Sequence, residues 1–302
     1  MSVLISHTAR RSLLAANLIC MASMVIWAAG LVSANVVIPL LPPLPLSAVR
    51  MAMASAFLLP VWLMFEGGAA VRHASWRRGL AVGGMIGLGA VLLVVAQAMT
   101  DAVTVAVVAA ATPVVGIALE VVLDQRPITM ALILGLIFSL IGGILALGGG
   151  IGGLGLGLGA LLALLSVVIF TVGSRMTVTA FPGLTPLGRT TVTVVGATVL
   201  VSLAAAFTGP AANWSVIGWP EIGALMLFGI GGLAISQVLW IMSVGRLGIG
   251  AAALHINAAP FYVMVILFAF GGQWNWFQAI GAAIVGLGVL IAQGILLPKL
   301  AR

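Results

Sequence analysis

The sequence predicts an all-α polytopic membrane protein, with ten transmembrane helices forming two inverted five-helix repeats and both chain termini cytoplasmic. Three observations predict it. Hydrophobic residues fill 63% of the 302 positions and charged residues 6%, whereas soluble domains carry roughly 25% charged residues. Ten apolar stretches of helix length follow one another, and eleven of the twelve Lys and Arg residues fall at the chain ends or in every second gap. The order of motifs in the first half then returns in the second.

The first stretch, residues 13–34, follows Arg10 and Arg11. Its length of about 22 residues exceeds the ~7–15 of a cleavable signal core and suffices for a ~30 Å bilayer, so it is read as a retained helix. A proline-rich gap with Pro39, Pro42, Pro43 and Pro45 leads to the second stretch, 47–65, which Arg50 opens. The third, 79–99, carries the Gly83 and Gly87 pair, and the fourth, 102–123, holds Pro113. The turn Asp124-Gln125-Arg126-Pro127 precedes the fifth, 129–148. Eight glycines occupy the twelve positions 148–159, a flexible connector at the middle of the chain. The second half continues with 158–177, 187–207 after Phe181-Pro182-Gly183, 221–244, 249–270, and 275–296 after Gly271-Gly272. The expected organisation is an N-terminus (1–12), a first repeat (13–148), an outer connector (149–157), a second repeat (158–296) and a C-terminus (297–302).

Orientation follows from the basic residues. One face receives Arg10, Arg11, Arg72, Arg77, Arg78, Arg126, Arg175, Arg189, Arg246, Lys299 and Arg302, and the other only Arg50. Short basic loops stay in the cytoplasm, so the expected location is the bacterial inner membrane. The net charge of +7 is scattered in ones to threes beside apolar spans, which points to lipid headgroups and not to nucleic acid. The lone Cys20 excludes an intramolecular disulfide, and no metal-ligand cluster, Walker A pattern or Ser/His/Asp arrangement is present. Neither an enzyme nor a cofactor or metal is expected. The lipid bilayer and a small-molecule substrate are the expected partners of a monomer.

The halves align motif by motif. Ile26-Trp27-Ala28-Ala29-Gly30 matches Ile169-Phe170-Thr171-Val172-Gly173; Arg50 after Pro45 matches Arg189 after Pro186; Pro113 matches Pro260; and the pair Gly135 and Gly142 matches Gly281 and Gly288. The offsets are 143, 139, 147 and 146 residues. Five spans per half is an odd number, so the second half must enter the membrane inverted. Inverted repeats are how many secondary transporters expose one midplane site alternately to each side. The Arg50 exception then reads as a gate residue whose mate, Arg189, lies at the opposite face.

The stretch 27–30, Arg50, the prolines 113 and 260, and Asp124 through the run of glycines 135–143 resemble the drug/metabolite transporter superfamily in its ten-helix EamA-type branch, over essentially residues 13–296. Within it the chain is most similar to YddG-type amino-acid exporters. The resemblance implies export of small metabolites from the cytoplasm. Asp124 has no acidic counterpart in the second half, where Gly272 and Gln273 stand.

Polar residues within spans are the site candidates, because hydrocarbon offers them no partner. His255 and Asn257 precede Pro260, which removes a donor and frees a carbonyl nearby, and Tyr262 follows it. Trp27 and its mate Phe170 could sandwich an apolar or aromatic substrate or simply pack. Ser236, Gln237 and Trp240 lie within about one turn of each other. Gln97, Thr112 and Ser166 complete the expected lining, with Arg50, Pro113, Arg189 and Pro260 as gate or structural residues. Trp214, Trp219, Trp274 and Trp276 suit an interfacial belt. No carboxylate sits mid-span, leaving His255 as the one group for proton exchange beside simple facilitated movement. Alternative readings are a multidrug, organic-cation or nucleoside exporter of the same fold, a lipid scramblase, or a membrane-embedded enzyme.

Overall fold

The computed structural model describes residues 7–100, 102–146, 157–274, 276–293 and 295–297, and among them every regular element is helical. The α-helices are α1 (His7–Val37), α2 (Pro43–Arg72), α3 (Trp76–Met99), α4 (Ala102–Val108), α5 (Thr112–Leu123), α6 (Met130–Ala146), α7 (Leu158–Thr179), α8 (Pro186–Thr208), α9 (Trp219–Met226), α10 (Ser236–Leu247), α11 (Ile249–Ala253), α12 (Ala259–Ala269) and α13 (Trp276–Ala292). Seven continuous helical runs have the length and apolar composition to cross a membrane, and three shorter apolar helices lie at Thr112–Leu123, Met130–Gly142 and Ala279–Ala292. The expected connector at 149–157 falls outside the described residues except for Gly157, as do 1–6 and 298–302.

Three expected single helices are interrupted, each for a local reason. Pro113 has no N–H to give the carbonyl of Ala109, four residues earlier. That carbonyl instead accepts from the Thr112 hydroxyl at 2.6 Å and from the Thr112 backbone N–H, and the chain tightens into the 3-10 turn Ala109–Ala111 between α4 and α5. Pro260 acts in the same way on Ile256, whose carbonyl accepts from Ala259 N–H at the end of the 3-10 segment Leu254–Ala258. The freed carbonyl is thus that of Ile256, between His255 and Asn257, as the sequence suggested. Between α9 and α10 the run Leu227–Ile235 is a π-helix, whose turn holds one residue more than an α-turn.

The α2 helix begins at Pro43, four residues before the expected start, because a proline in the first helical turn lacks only an N–H that would be unpaired anyway. Arg50 therefore does not open the helix at a face. It lies two turns inside, 2% exposed. Near the other end, Gly67 at φ 79° kinks α2, and Gly248 at φ 82° separates α10 from α11.

Glycines set the contacts between the halves, as small residues do where helices meet in lipid. A Cβ on Gly30 of α1 would sit 2.8 Å from the Cα of Gly232 in the π-segment. Gly83 of α3 meets the backbone of Thr193 in α8, and Gly229 of the π-segment meets the carbonyl of Arg50 in α2. In α6 and α13, Gly135 faces the carbonyl of Gly288 while Gly142 faces that of Gly281. Every one of these contacts except the first is paired with another when the halves are exchanged at an offset of 143 for α2 with α8 and 146 for the others. The pairing aligns Arg50 with Thr193 and corrects the expected match to Arg189 by about one turn.

The basic loops gather at one end of the bundle. Arg175 pairs with Asp124, Arg126 with Glu120, Arg78 donates to the Ala180 carbonyl, and Thr185 donates to Glu66. Glu120 also accepts from Gly250 N–H at 3.0 Å, so α5, and through Arg126 the turn after it, is tied to α11 of the other half. Of the expected belt, Trp214, Trp219 and Trp276 are exposed, and Trp274 packs edge-on against Phe268 at 5.5 Å.

Candidate functional site

A cavity of about 70 Å³ lies between the halves, room for on the order of five waters at ~10–15 Å³ each. Nineteen residues line it. Sixteen of them form eight mate pairs: Ser23 with Ser166, Met24 with Val167 and Trp27 with Phe170 at an offset of 143; Ile86 with Gly232 at 146; Gly89 with Ser236, Ala90 with Gln237, Leu93 with Trp240 and Ala109 with Ile256 at 147. The change from 146 to 147 along α3 and its mate falls within the π-segment, where one residue is added. Leu233, in that added turn, is one of the three lining residues without a lining mate. Arg50 and Thr112 are the others.

The wall is built by hydrogen bonds that repeat between halves. Ser166 Oγ donates to the Gly89 carbonyl at 2.7 Å, and its mate Ser23 Oγ donates to the Ser236 carbonyl at 2.8 Å. Each bond ties the first helix of one half to the third helix of the other. Ser236 Oγ donates to Gly232 O at 2.8 Å, Thr112 Oγ1 to Ala109 O, and Trp240 Nε1 to Ser174 Oγ at 3.1 Å. Phe170 and Trp240 lie 6.4 Å apart, ring to ring, on one side. Ala109 and Ile256, whose carbonyls the two prolines leave without their usual donors, both line the wall, one from each half.

Two polar side chains in the wall keep unused donors. Arg50 Nε and Nη1 and Gln237 Nε2 are buried without hydrogen-bond partners, although Arg50 is 2% exposed and Gln237 4%. The Arg50 guanidinium sits 3.9 Å over the ring of Phe228, a cation–π contact that offsets part of its lost hydration.

Of the eleven residues expected to bind substrate, the cavity brings together Trp27, Thr112, Ser166, Phe170, Ser236, Gln237 and Trp240. The other four lie elsewhere. Gln97 donates to Leu31 O at 3.0 Å and Asn35 Oδ1 at 3.2 Å, pinning α3 to α1. His255 is 7% exposed with Nδ1 3.3 Å from Ala252 O, and Asn257 donates to Ser139 Oγ at 2.7 Å, facing α6. Tyr262 is half-buried and packs against Phe261 at 5.9 Å. Among the expected gate residues, Pro113 and Pro260 are buried, and Arg189 clamps its own loop, its Nε donating to Leu184 O at 2.7 Å and Phe181 O at 2.9 Å. Arg50 was expected at an outer gate, and α2 joins the lining through it. The repeat pairing, once extended from motifs to every position, would have found Ser23 as the mate of Ser166.

Apolar helices long enough to cross a membrane, packed by glycines around one cavity, are the architecture of a multi-pass membrane protein. The chain belongs to the EamA-like transporter family, which it matches over residues 14–148 and again over 157–293. It is similar to the protein named Uncharacterized transporter YyaM of Bacillus subtilis (strain 168), 33% identical over 116 residues. That match spans 38% of each chain. A solved crystal structure shares the fold at a TM-score of 0.75 and 22% identity, covering 95% of this chain and 99% of the other.

Proposed function

We propose that the protein is a YddG-type secondary transporter that exports small metabolites, neutral and aromatic amino acids above all, across the bacterial inner membrane by alternating access. The observation that carries this reading is the set of eight mate pairs around one cavity. A cavity built from matching positions of two inverted five-helix repeats lies on their pseudo-two-fold axis. Rocking one repeat against the other then exposes the same wall to either side. The hydrogen bonds of Ser23 and Ser166 lie in corresponding seams, so one seam can open while the other stays closed.

Coupling follows from what faces the cavity. Among the described residues its lining contains no carboxylate and no histidine. A proton carrier belongs in the path of the substrate, so we read the transport as facilitated movement down the substrate gradient. Counterflow in liposomes holding the purified protein tests both parts. Labelled amino acid is expected to exchange without a pH gradient. Failure of the folded protein to move any of a panel of amino acids, nucleosides and organic cations would overturn the reading, and uphill accumulation driven by a pH gradient would replace facilitated movement with proton exchange.

A further inference from the structure

We infer that Arg50 and Gln237 form a carboxylate-binding subsite, so that the cavity takes small molecules with one carboxylate and an apolar or aromatic body. The inference rests on the transport reading above and adds the substrate chemistry. A guanidinium in an apolar span needs an anion or a wet surface, and arginine stays protonated even when buried. Of the five acidic residues, four are described, and all four are engaged elsewhere: Glu66 with Thr185, Glu120 with Arg126 and Gly250, Asp124 with Arg175, and Glu221 with the Gly218 N–H. None reaches Arg50.

Three unused groups in the wall are buried donors. Arg50 Nε and Nη1 are N–H groups, and so is the free amide nitrogen of Gln237. Acceptors would suit an ammonium or hydroxyl; two guanidinium donors and an amide suit the two oxygens of a carboxylate. The hydroxyls of Ser23, Ser166, Ser236 and Thr112 already donate to main-chain carbonyls and do not compete for the anion. The mates of the two donors are Thr193, whose hydroxyl turns back to Arg189 O at 2.9 Å, and Ala90. The charge is thus confined to one side of the axis, opposite an aliphatic side, and Trp27, Phe170 and Trp240 remain to meet the body of the ligand.

The experiment uses four matched probes: phenylalanine, 3-phenylpropionate, phenylalaninamide and phenethylamine. Each is measured by counterflow in liposomes and by thermal stabilisation of the full-length protein in detergent. The expected result is exchange and stabilisation by the two carboxylates and neither by the amide nor the amine, with R50Q lowering both at least tenfold. R50K and Q237L guard against misfolding. Each is expected to fold and to weaken carboxylate binding several-fold, R50K because an ammonium lacks the two-pronged donor geometry. T193V is expected to behave as the parent. Preference for phenylalanine over phenylpropionate identifies the carboxylate as that of an amino acid, and the reverse identifies a simple organic acid. Carboxylate-specific stabilisation without flux keeps the subsite and sinks the transport reading. Flux that is equal for the amide and the acid, or unchanged in R50Q, keeps transport and overturns the subsite, as does the absence of both flux and stabilisation for either carboxylate.

Discussion

The two halves of the molecule build the same wall from different chemistry. Positions repeat: Ser23 and Ser166 make the same bond, Pro113 and Pro260 follow the same kind of 3-10 turn, and Trp27 and Phe170 each present a ring to the cavity. Charge and register do not repeat. Arg50 has Thr193 as its mate, Gln237 has Ala90, and the π-segment Leu227–Ile235 is matched by a regular stretch of α3. Shared positions therefore set the cavity's shape, while the unshared ones give the cavity its polarity.

The largest expected effect comes from the glycine contacts, because there the halves look equivalent and are not. At Gly30 an added methyl meets backbone, the Cα of Gly232 at 2.8 Å. Neither main chain can yield without moving a helix, so G30A is expected to cost ~1–3 kcal/mol, the usual range for overpacking. At its mate Gly173 the methyl meets the tip of the Ile86 side chain at 2.9 Å, which can rotate away. There the better helix propensity of alanine, worth up to ~1 kcal/mol, should prevail and leave G173A neutral or stabilised. Thermal unfolding in detergent checks the pair, and equal shifts in both variants would show that the seams are energetically equivalent.

The aromatic mates offer a second contrast. Trp27 and Phe170 both line the cavity, but Phe170 also packs against Trp240. Truncating either ring removes substrate contact, and a loss of ~1.4 kcal/mol corresponds to about tenfold in flux. W27A and F170A are both expected to lower flux and to lower stability in detergent, because each ring also packs against buried core residues. W27F, which makes the halves alike at this position, is expected to stay within about threefold of the parent, since each ring offers a comparable apolar face. A tenfold loss in W27F would assign the indole N–H a direct role.

Hydropathy and loop charge located the helical segments, because membrane crossing depends on length and composition, and both are written locally. The prolines and glycines of the repeat were also legible. The direction in which a side chain points was not. Arg50 was placed at a helix start because proline suggested a boundary, yet Pro43 tolerates the first turn and the helix begins earlier. That shift of about one turn moved the residue from a gate to the cavity and broke its match with Arg189. The π-segment was illegible for a related reason: one added residue changes no composition, and it shows only as a step from 146 to 147 in the spacing of mates. His255 and Asn257 were chosen for polarity beside Pro260, but a polar side chain can equally be spent on a neighbouring helix.

That last distinction gives the smallest and most specific effect. The Asn257 side chain donates to Ser139 Oγ at 2.7 Å, and Ser139 is itself 3.5 Å from the Leu254 carbonyl. The three groups pin the 3-10 segment Leu254–Ala258 against α6, behind the wall that Ile256 presents to the cavity. Replacing Asn257 by Ala removes one buried hydrogen bond, worth ~0.5–1.5 kcal/mol, and leaves the Ser139 hydroxyl with the Leu254 carbonyl as its acceptor. N257A and S139A are therefore expected to lower the unfolding temperature modestly and by similar amounts, with the double variant little worse than either single one. Flux per folded molecule should stay within about twofold, because a 0.4 kcal/mol change in the transport barrier is all that such a factor represents. A tenfold loss of flux in N257A with S139A unaffected would instead bring the Asn257 side chain into the substrate path in some other state of the cycle. The second half would then contribute a polar group there that its mate in the first half, Ala110, does not.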